Sequence, residues 1–440
     1  MTEAATAREV QTRRMLEYFG DEVDSGPYSG GEGPAWYLYR RGNILVRDEY
    51  LTEVRDILHM EGCLPTSETA GGQPTEFAVI HGVRRLRLAD TTSTLEALEK
   101  IHRRIGAGAA TPDHLVSISD VPMGWGGGCA PIEPTPVPNG STPSPAPMPI
   151  ALRRGRSTGQ GEGIRVVILD TGLDWDAPEI HLWMDGVVGD DDPAIEPRRV
   201  PGAPYPDPDR RELKWYAGHG TFVAGLVRMM APRAEVIVRL GFEECGASYE
   251  SDLVVKLDRI LRDDYPDIIN LSAGALAFDP TGLLSFKVFH ENRLRHHKGT
   301  VVVTAAGNQE NRKPYWPAAE PWSISVGALD QFQARAEFSN YGGWVDVFAP
   351  GDHVVNAFPR GWYTYQEPPK ARPEPTRFSG MARWSGTSFA AAVVSGLIAT
   401  RMSQTGENGL AAAASLLAVA RTVAIPGVGP VLTPGTPELE

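Results

Sequence analysis

Residues 166–174 read VVILDTGLD, four apolar residues in a row, three of them β-branched, stopped by Asp170 and a Thr-Gly turn. A run of this kind is a strand buried on both faces, as strands of a parallel sheet are. An acid at its carboxyl end stands where open α/β sheets place their working residues. Counting this one, such runs recur at 164–169, Glu235–Leu240, Ile268–Leu271, 301–306 and 323–326, with helical patterns at 250–261 and 284–295 between them. The expected fold class is α/β, a largely parallel sheet flanked by helices.

Two later segments complete a chemical set with Asp170. GHGTFVAG at 218–225 holds His219 between glycines, and SGTSFAAA at 385–392 holds Ser388. A serine hydroxyl attacks a carbonyl only if an imidazole takes its proton, and the imidazole needs a carboxylate to fix its tautomer. Taken singly, each residue has a plainer reading: a strand-end turn, a loop histidine, a helix start. Together and in this order they form an acid, a base and a nucleophile. Ala390, Ala391, Ala392, Ser395 and Gly396 after Ser388 fit a helix packed closely on the sheet. Ser388 at its N-terminus would meet free N–H groups and the helix dipole, which favour negative charge.

The order Asp…His…Ser with these flanks resembles the subtilisin-like serine protease family (subtilases, peptidase S8) from about Gly161 to about Gly396. The resemblance implies a serine endopeptidase acting on a protein or peptide substrate through an acyl-enzyme. Asp170 would orient His219, His219 would serve as base and then acid, and Ser388 would attack. Asn308, within VVVTAAGNQ at 301–309, matches the family's oxyanion donor. Ser272-Ala273-Gly274 resembles the segment that pairs with substrate, with Leu240-Gly241-Phe242 as the opposite edge, so that a peptide docks as an added strand. Walls of Ala and Gly leave room for a sizeable side chain at P1, the residue before the scissile bond. The family's Pro-His pair beyond the nucleophile is replaced by Ala392-Val393. No cofactor is required for this chemistry and no metal ligand set is expected. Structural calcium, common in relatives, has one candidate in Asp190-Asp191-Asp192, whose ordinary reading is a solvated acidic loop.

The rest of the 440 residues divides by composition. Residues 1–41 read as irregular apart from a short helix near 8–18, and 123–150 as a Gly/Pro-rich, semi-extended linker without regular structure. Residues 42–122 show the order strand–helix–strand–strand–helix–strand, a small ferredoxin-like α+β module. Its plan is similar to a subtilase propeptide, which implies an intramolecular inhibitor and chaperone; a fused accessory domain is the alternative. The catalytic domain is assigned to 151–424, and 425–440 to an irregular tail.

A net charge of −13 argues against nucleic acid as a partner, and no apolar run is long enough for a membrane span. The polar start has no export signal, and three scattered cysteines give no disulfide framework, so the expected location is cytoplasmic. Two rival functions fit the same residues: a zymogen activated by a partner, and a non-catalytic protease-like binding scaffold.

Overall fold

The computed structural model describes residues 7–27, 36–65, 69–70, 73–118, 133–138, 141–144, 159–197, 202, 207, 210–368 and 370–434. The larger unit is built on a seven-stranded sheet. Its order from one edge is Val188–Gly189, Glu235–Leu240, Arg165–Asp170, Ile268–Leu271, Val301–Ala305, Ser323–Leu329 and Val347–Pro350, every pair parallel. Val166, Val167, Ile168 and Leu169 are fully buried, as the apolar run requires. Helices His219–Met230 and Thr387–Thr405 pack together against this sheet. A Cβ on Gly396 would lie 2.4 Å from Met230 Cβ and 2.9 Å from the Val227 carbonyl, so glycine there lets the helices cross this closely. Ala392 and Val393 are fully buried inside a continuous helix, which forms without the family's proline.

A second, five-stranded sheet was not foreseen. Its centre is the antiparallel pair Val354–Tyr363 and Thr376–Trp384. Part of the expected linker joins it: Thr135–Pro136 pairs with Thr376–Trp384, and Ser144 bridges to Val355. Buried Glu133 accepts from Tyr363 Oη and from the N–H groups of Gln366 and Glu367. Residues 133–138 and 141–144 are therefore docked rather than free-standing. The tail is likewise pinned at Phe348, whose N–H donates to Pro430 O and whose carbonyl accepts from Leu432 N.

The N-terminal module has the ferredoxin-like strand order Ala110–Ser117, Trp36–Arg47, Val83–Arg87, Glu76–Ile80, all antiparallel. Helices Leu51–Met60 and Thr94–Arg104 bury Val54, Ile57, Leu58, Ala97, Leu98 and Ile101 against it. Residues 1–41 are not irregular where described. Helix Ala7–Phe19 is followed by strand Val23–Pro27, which pairs with the first half of Trp36–Arg47. The last strand begins at Ala110 although Thr111, Asp113 and His114 are polar, and all three are buried.

This module is continuous with the larger unit. Ala247–Tyr249 of the larger unit pairs antiparallel with Ala110–Ser117 and extends the module's sheet. His114 Nδ1 donates to Glu250 Oε1 at 2.6 Å while His114 Nε2 accepts from the Phe278 N–H at 2.9 Å, with His114 and Glu250 fully buried. Arg47 adds a two-pronged ion pair to Glu291 at 2.6 and 3.1 Å.

Candidate active site

Asp170 ends its strand and His219 opens its helix, and the two meet. His219 Nδ1 donates to Asp170 Oδ1 at 2.7 Å, and the same oxygen accepts the Thr171 N–H at 2.7 Å. Asp170 is fully buried and His219 nearly so. The helix can begin at His219 because Gly218 takes φ +78° and because a Cβ there would strike Pro359 Cδ at 2.2 Å. Trp384, edge-on with ring centroids 5.5 Å apart, and Phe389 wall the imidazole.

Ser388 is the second residue of helix Thr387–Thr405. Its Oγ donates a long 3.4 Å bond to Ser272 O, and Ser272 Oγ lies 3.2 Å from Ser388 O. Asn308 Oδ1 accepts from Thr387 N at 2.8 Å and Thr387 Oγ1 at 2.9 Å. With its oxygen held this way, the amide's donor end is turned away from Thr387. His219, Asn308 and Ser388 line one small recess, closed further by Ile118, Tyr216, Trp384 and Phe389, with about 10 Å³ of space left. The structure thus brings together all four residues singled out from the sequence.

The two segments expected to edge a cleft have different surroundings. Gly274 exchanges two backbone hydrogen bonds with Ser117, each 3.0 Å, and Ser272 and Ala273 lead into that pairing. The opposite edge is not 240–242. Leu240 is committed to the parallel sheet opposite Asp170, and Gly241 N donates to Asp170 O. Gly246 and Ala247–Tyr249, further along the chain, take that place instead: Ile118 N donates to Gly246 O at 2.9 Å. The end of the module's last strand therefore lies between the two cleft edges, with buried Ile118 against the recess. Residues 119–132, which follow this strand, lie outside the described residues.

The acidic run 190–192 diverges. Asp190 bonds Arg239 and the Leu240 N–H, whereas Asp192 is buried and accepts from Gly218 N at 2.7 Å, Ala194 N at 2.8 Å and Thr171 Oγ1. Burial pushes the Asp192 carboxyl up to about 7, against the pull of those N–H donors. Among the described residues no group of three or more His, Cys, Asp or Glu could hold a metal ion. Sequence reading missed Asp192 as a brace beneath His219, since two of its three donors, Gly218 N and Thr171 Oγ1, come from elements far from it in the chain. It missed Trp384 and Phe389 as well, although both flank the Gly-Thr-Ser motif.

Residues 161–422 match the subtilase family, Peptidase S8. The chain is 31% identical over 260 residues to a thermophilic serine proteinase of Bacillus sp. (strain AK1), covering 56% of this chain and 54% of that protein. It is 29% identical over 251 residues to subtilisin-like protease 2 of Arthroderma otae, covering 55% and 50%. The chain spans about half the length of these curated relatives. Among solved structures, fervidolysin from Fervidobacterium pennivorans, a keratinolytic enzyme related to subtilisin, gives a TM-score of 0.54 at 19% identity. That likeness covers 92% of this chain and 63% of fervidolysin, and so takes in part of the N-terminal module. With well over half of its residues matched, the chain belongs to the subtilase family.

Proposed function

We propose that the chain is a serine endopeptidase held latent by its own N-terminal module. The observation that carries the chemistry is the buried 2.7 Å bond between Asp170 and His219 Nδ1, at a recess shared with Ser388 and Asn308. A carboxylate on Nδ1 keeps the proton there and leaves Nε2 basic. When substrate is seated, Ser388 Oγ exchanges its long bond to Ser272 O for the imidazole, gives up its proton and attacks the carbonyl. The oxyanion is met by Asn308 Nδ2 and by the Ser388 N–H, which lies in a first helical turn without intrahelical acceptors. His219 then protonates the leaving amine, and water repeats the cycle on the acyl-enzyme.

Latency is supported by the strand that ends at Ser117. It is hydrogen-bonded to Gly274 on one side and continues the pairing with Gly246 and Ala247–Tyr249 on the other, the position a substrate strand would take. The test compares the full chain with one starting near Pro131, which keeps the docked segments 133–138 and 141–144, on an unstructured protein substrate. The shorter chain is expected to cleave faster and to be inhibited by added residues 1–125. Equal rates and no inhibition in trans would leave the module an accessory domain.

A further inference from the structure

Two backbone segments bond to the start of the Ser388 helix: 272–274, through Ser272 to Ser388, and 306–308, through Gly307 and Asn308 to Thr387. Built of Ala, Gly and short polar residues, they carry the expectation of room for the side chain before the scissile bond. That room is already filled. A Cβ built on Gly274 would fall 2.3 Å from Tyr315 Cε1, and one built on Gly307 would fall 3.0 Å from Tyr315 Cδ1. One edge of the Tyr315 ring therefore lies against both segments at once.

The ring is anchored at each end. Its hydroxyl donates to Gly274 O at 2.7 Å, and the ring is 2% exposed. Its backbone is fixed by the paired bonds Trp316 N to Ala275 O and Ala275 N to Trp316 O, at 2.9 and 2.8 Å, and by Ala319 N donating to Tyr315 O. Swinging the ring away would strip a buried hydrogen bond and open a void, both of which cost stability. Tyr37 and Tyr39 of the module share its cluster, while the hydroxyl bond to Gly274 O and the backbone bonds of Tyr315 and Trp316 given above lie within the larger unit.

We propose that Tyr315 is the specificity-determining residue of this cleft, restricting the P1 position to Gly, Ala or Ser. The proposal rests on the peptidase reading above. It replaces the expectation of a roomy pocket, because the wall residues are small in order to accommodate the ring rather than a substrate side chain.

The test incubates the full chain, and beside it the chain starting near Pro131, with a mixed peptide library and reads cleavage sites and rates by mass spectrometry, alongside Tyr315→Gly, Tyr315→Phe and Ser388→Ala in both forms. Wild type is expected to cleave after Gly, Ala or Ser at least about tenfold faster than after Leu or Phe, the scale on which apolar pockets discriminate by size. Tyr315→Gly should reverse that ratio, and Tyr315→Phe, which keeps the ring, should preserve it. Wild-type cleavage after Leu or Phe as fast as after Ala overturns the proposal even if Tyr315→Gly does not fold. An unchanged ratio in folded Tyr315→Gly overturns it too. No cleavage by wild type either as the full chain or as the chain starting near Pro131, or equal cleavage by Ser388→Ala, overturns the peptidase reading and this proposal with it.

Discussion

Replacing Asp170 by Asn alters one atom and separates the two duties of the carboxylate. Oδ1 serves both His219 Nδ1 and the Thr171 N–H, while Oδ2 is buried with no hydrogen-bond partner among the described residues. An amide can be seated two ways. With its oxygen at the Oδ1 position both donors keep an acceptor, but the NH2 group enters a spot that offers it nothing, at a cost of ~1–3 kcal/mol. With the NH2 group there instead, it faces the Thr171 N–H donor to donor and itself donates to Nδ1. The imidazole then carries its proton on Nε2 and cannot take one from Ser388. Either seating leaves packing intact and removes the charge that stabilises an imidazolium. The expected loss in kcat is about 10⁴-fold, equivalent to about 5.5 kcal/mol of barrier. At the roughly 2–4 °C per kcal/mol of a 150–250-residue domain, an upper bound for this longer chain, the melting temperature should fall by no more than about 12 °C. Steady-state hydrolysis of a peptide substrate and a thermal melt on the same preparation measure both. A folded Asp170→Asn that keeps more than about a tenth of wild-type kcat would refute the orienting role.

Asn308→Asp keeps an acceptor for Thr387 but removes the donor, so kcat should fall by about 10²–10³-fold with the melting temperature little changed; an unaltered kcat would remove Asn308 from the oxyanion site. Glu367 is nearly buried, accepts from Gln11 and Trp215, and is pushed up to about 8 by burial first and then by Glu133. The folded state therefore holds a proton that the unfolded chain releases near 4.5, so this stabilisation is complete below that pH and is lost as pH rises to about 8. Urea titrations between pH 5 and 9 should show Glu367→Gln gaining on wild type with rising pH; a difference independent of pH would contradict the burial argument.

The parallel sheet was legible because each of its central strands is an apolar run, and both faces of those strands are in fact covered. The four site residues were legible because small neighbours and chain order mark them. The antiparallel sheet was not, since Asn356, Arg360, Arg377 and Arg383 interrupt Val354–Tyr363 and Thr376–Trp384 with polar side chains, and Asn356 and Arg360 meet Trp183 and Asp176 only in the folded protein. The start of the module hid for a similar reason: Arg40 lies within Trp36–Arg47, and its charge is met by Asp113 and Asp252 from distant elements. Asp192 read as a solvated acid because nothing in its neighbours shows that three donors converge on it. Tyr315 sits among prolines and aromatics, a pattern that gives no hint of a side chain lodged between Gly274 and Gly307. In each case the deciding contact is long-range, and local pattern carries no record of it.

The central claim is that Ser388 is the activated nucleophile. A fluorophosphonate reacts with a serine only when a neighbouring base withdraws its proton, so its site of attachment reads the activation directly. Peptide mapping by mass spectrometry after labelling the chain that starts near Pro131 should place the adduct on Ser388 alone, and Ser388→Ala should abolish both label and peptide hydrolysis. Labelling at another serine, or hydrolysis that survives Ser388→Ala, would contradict the account.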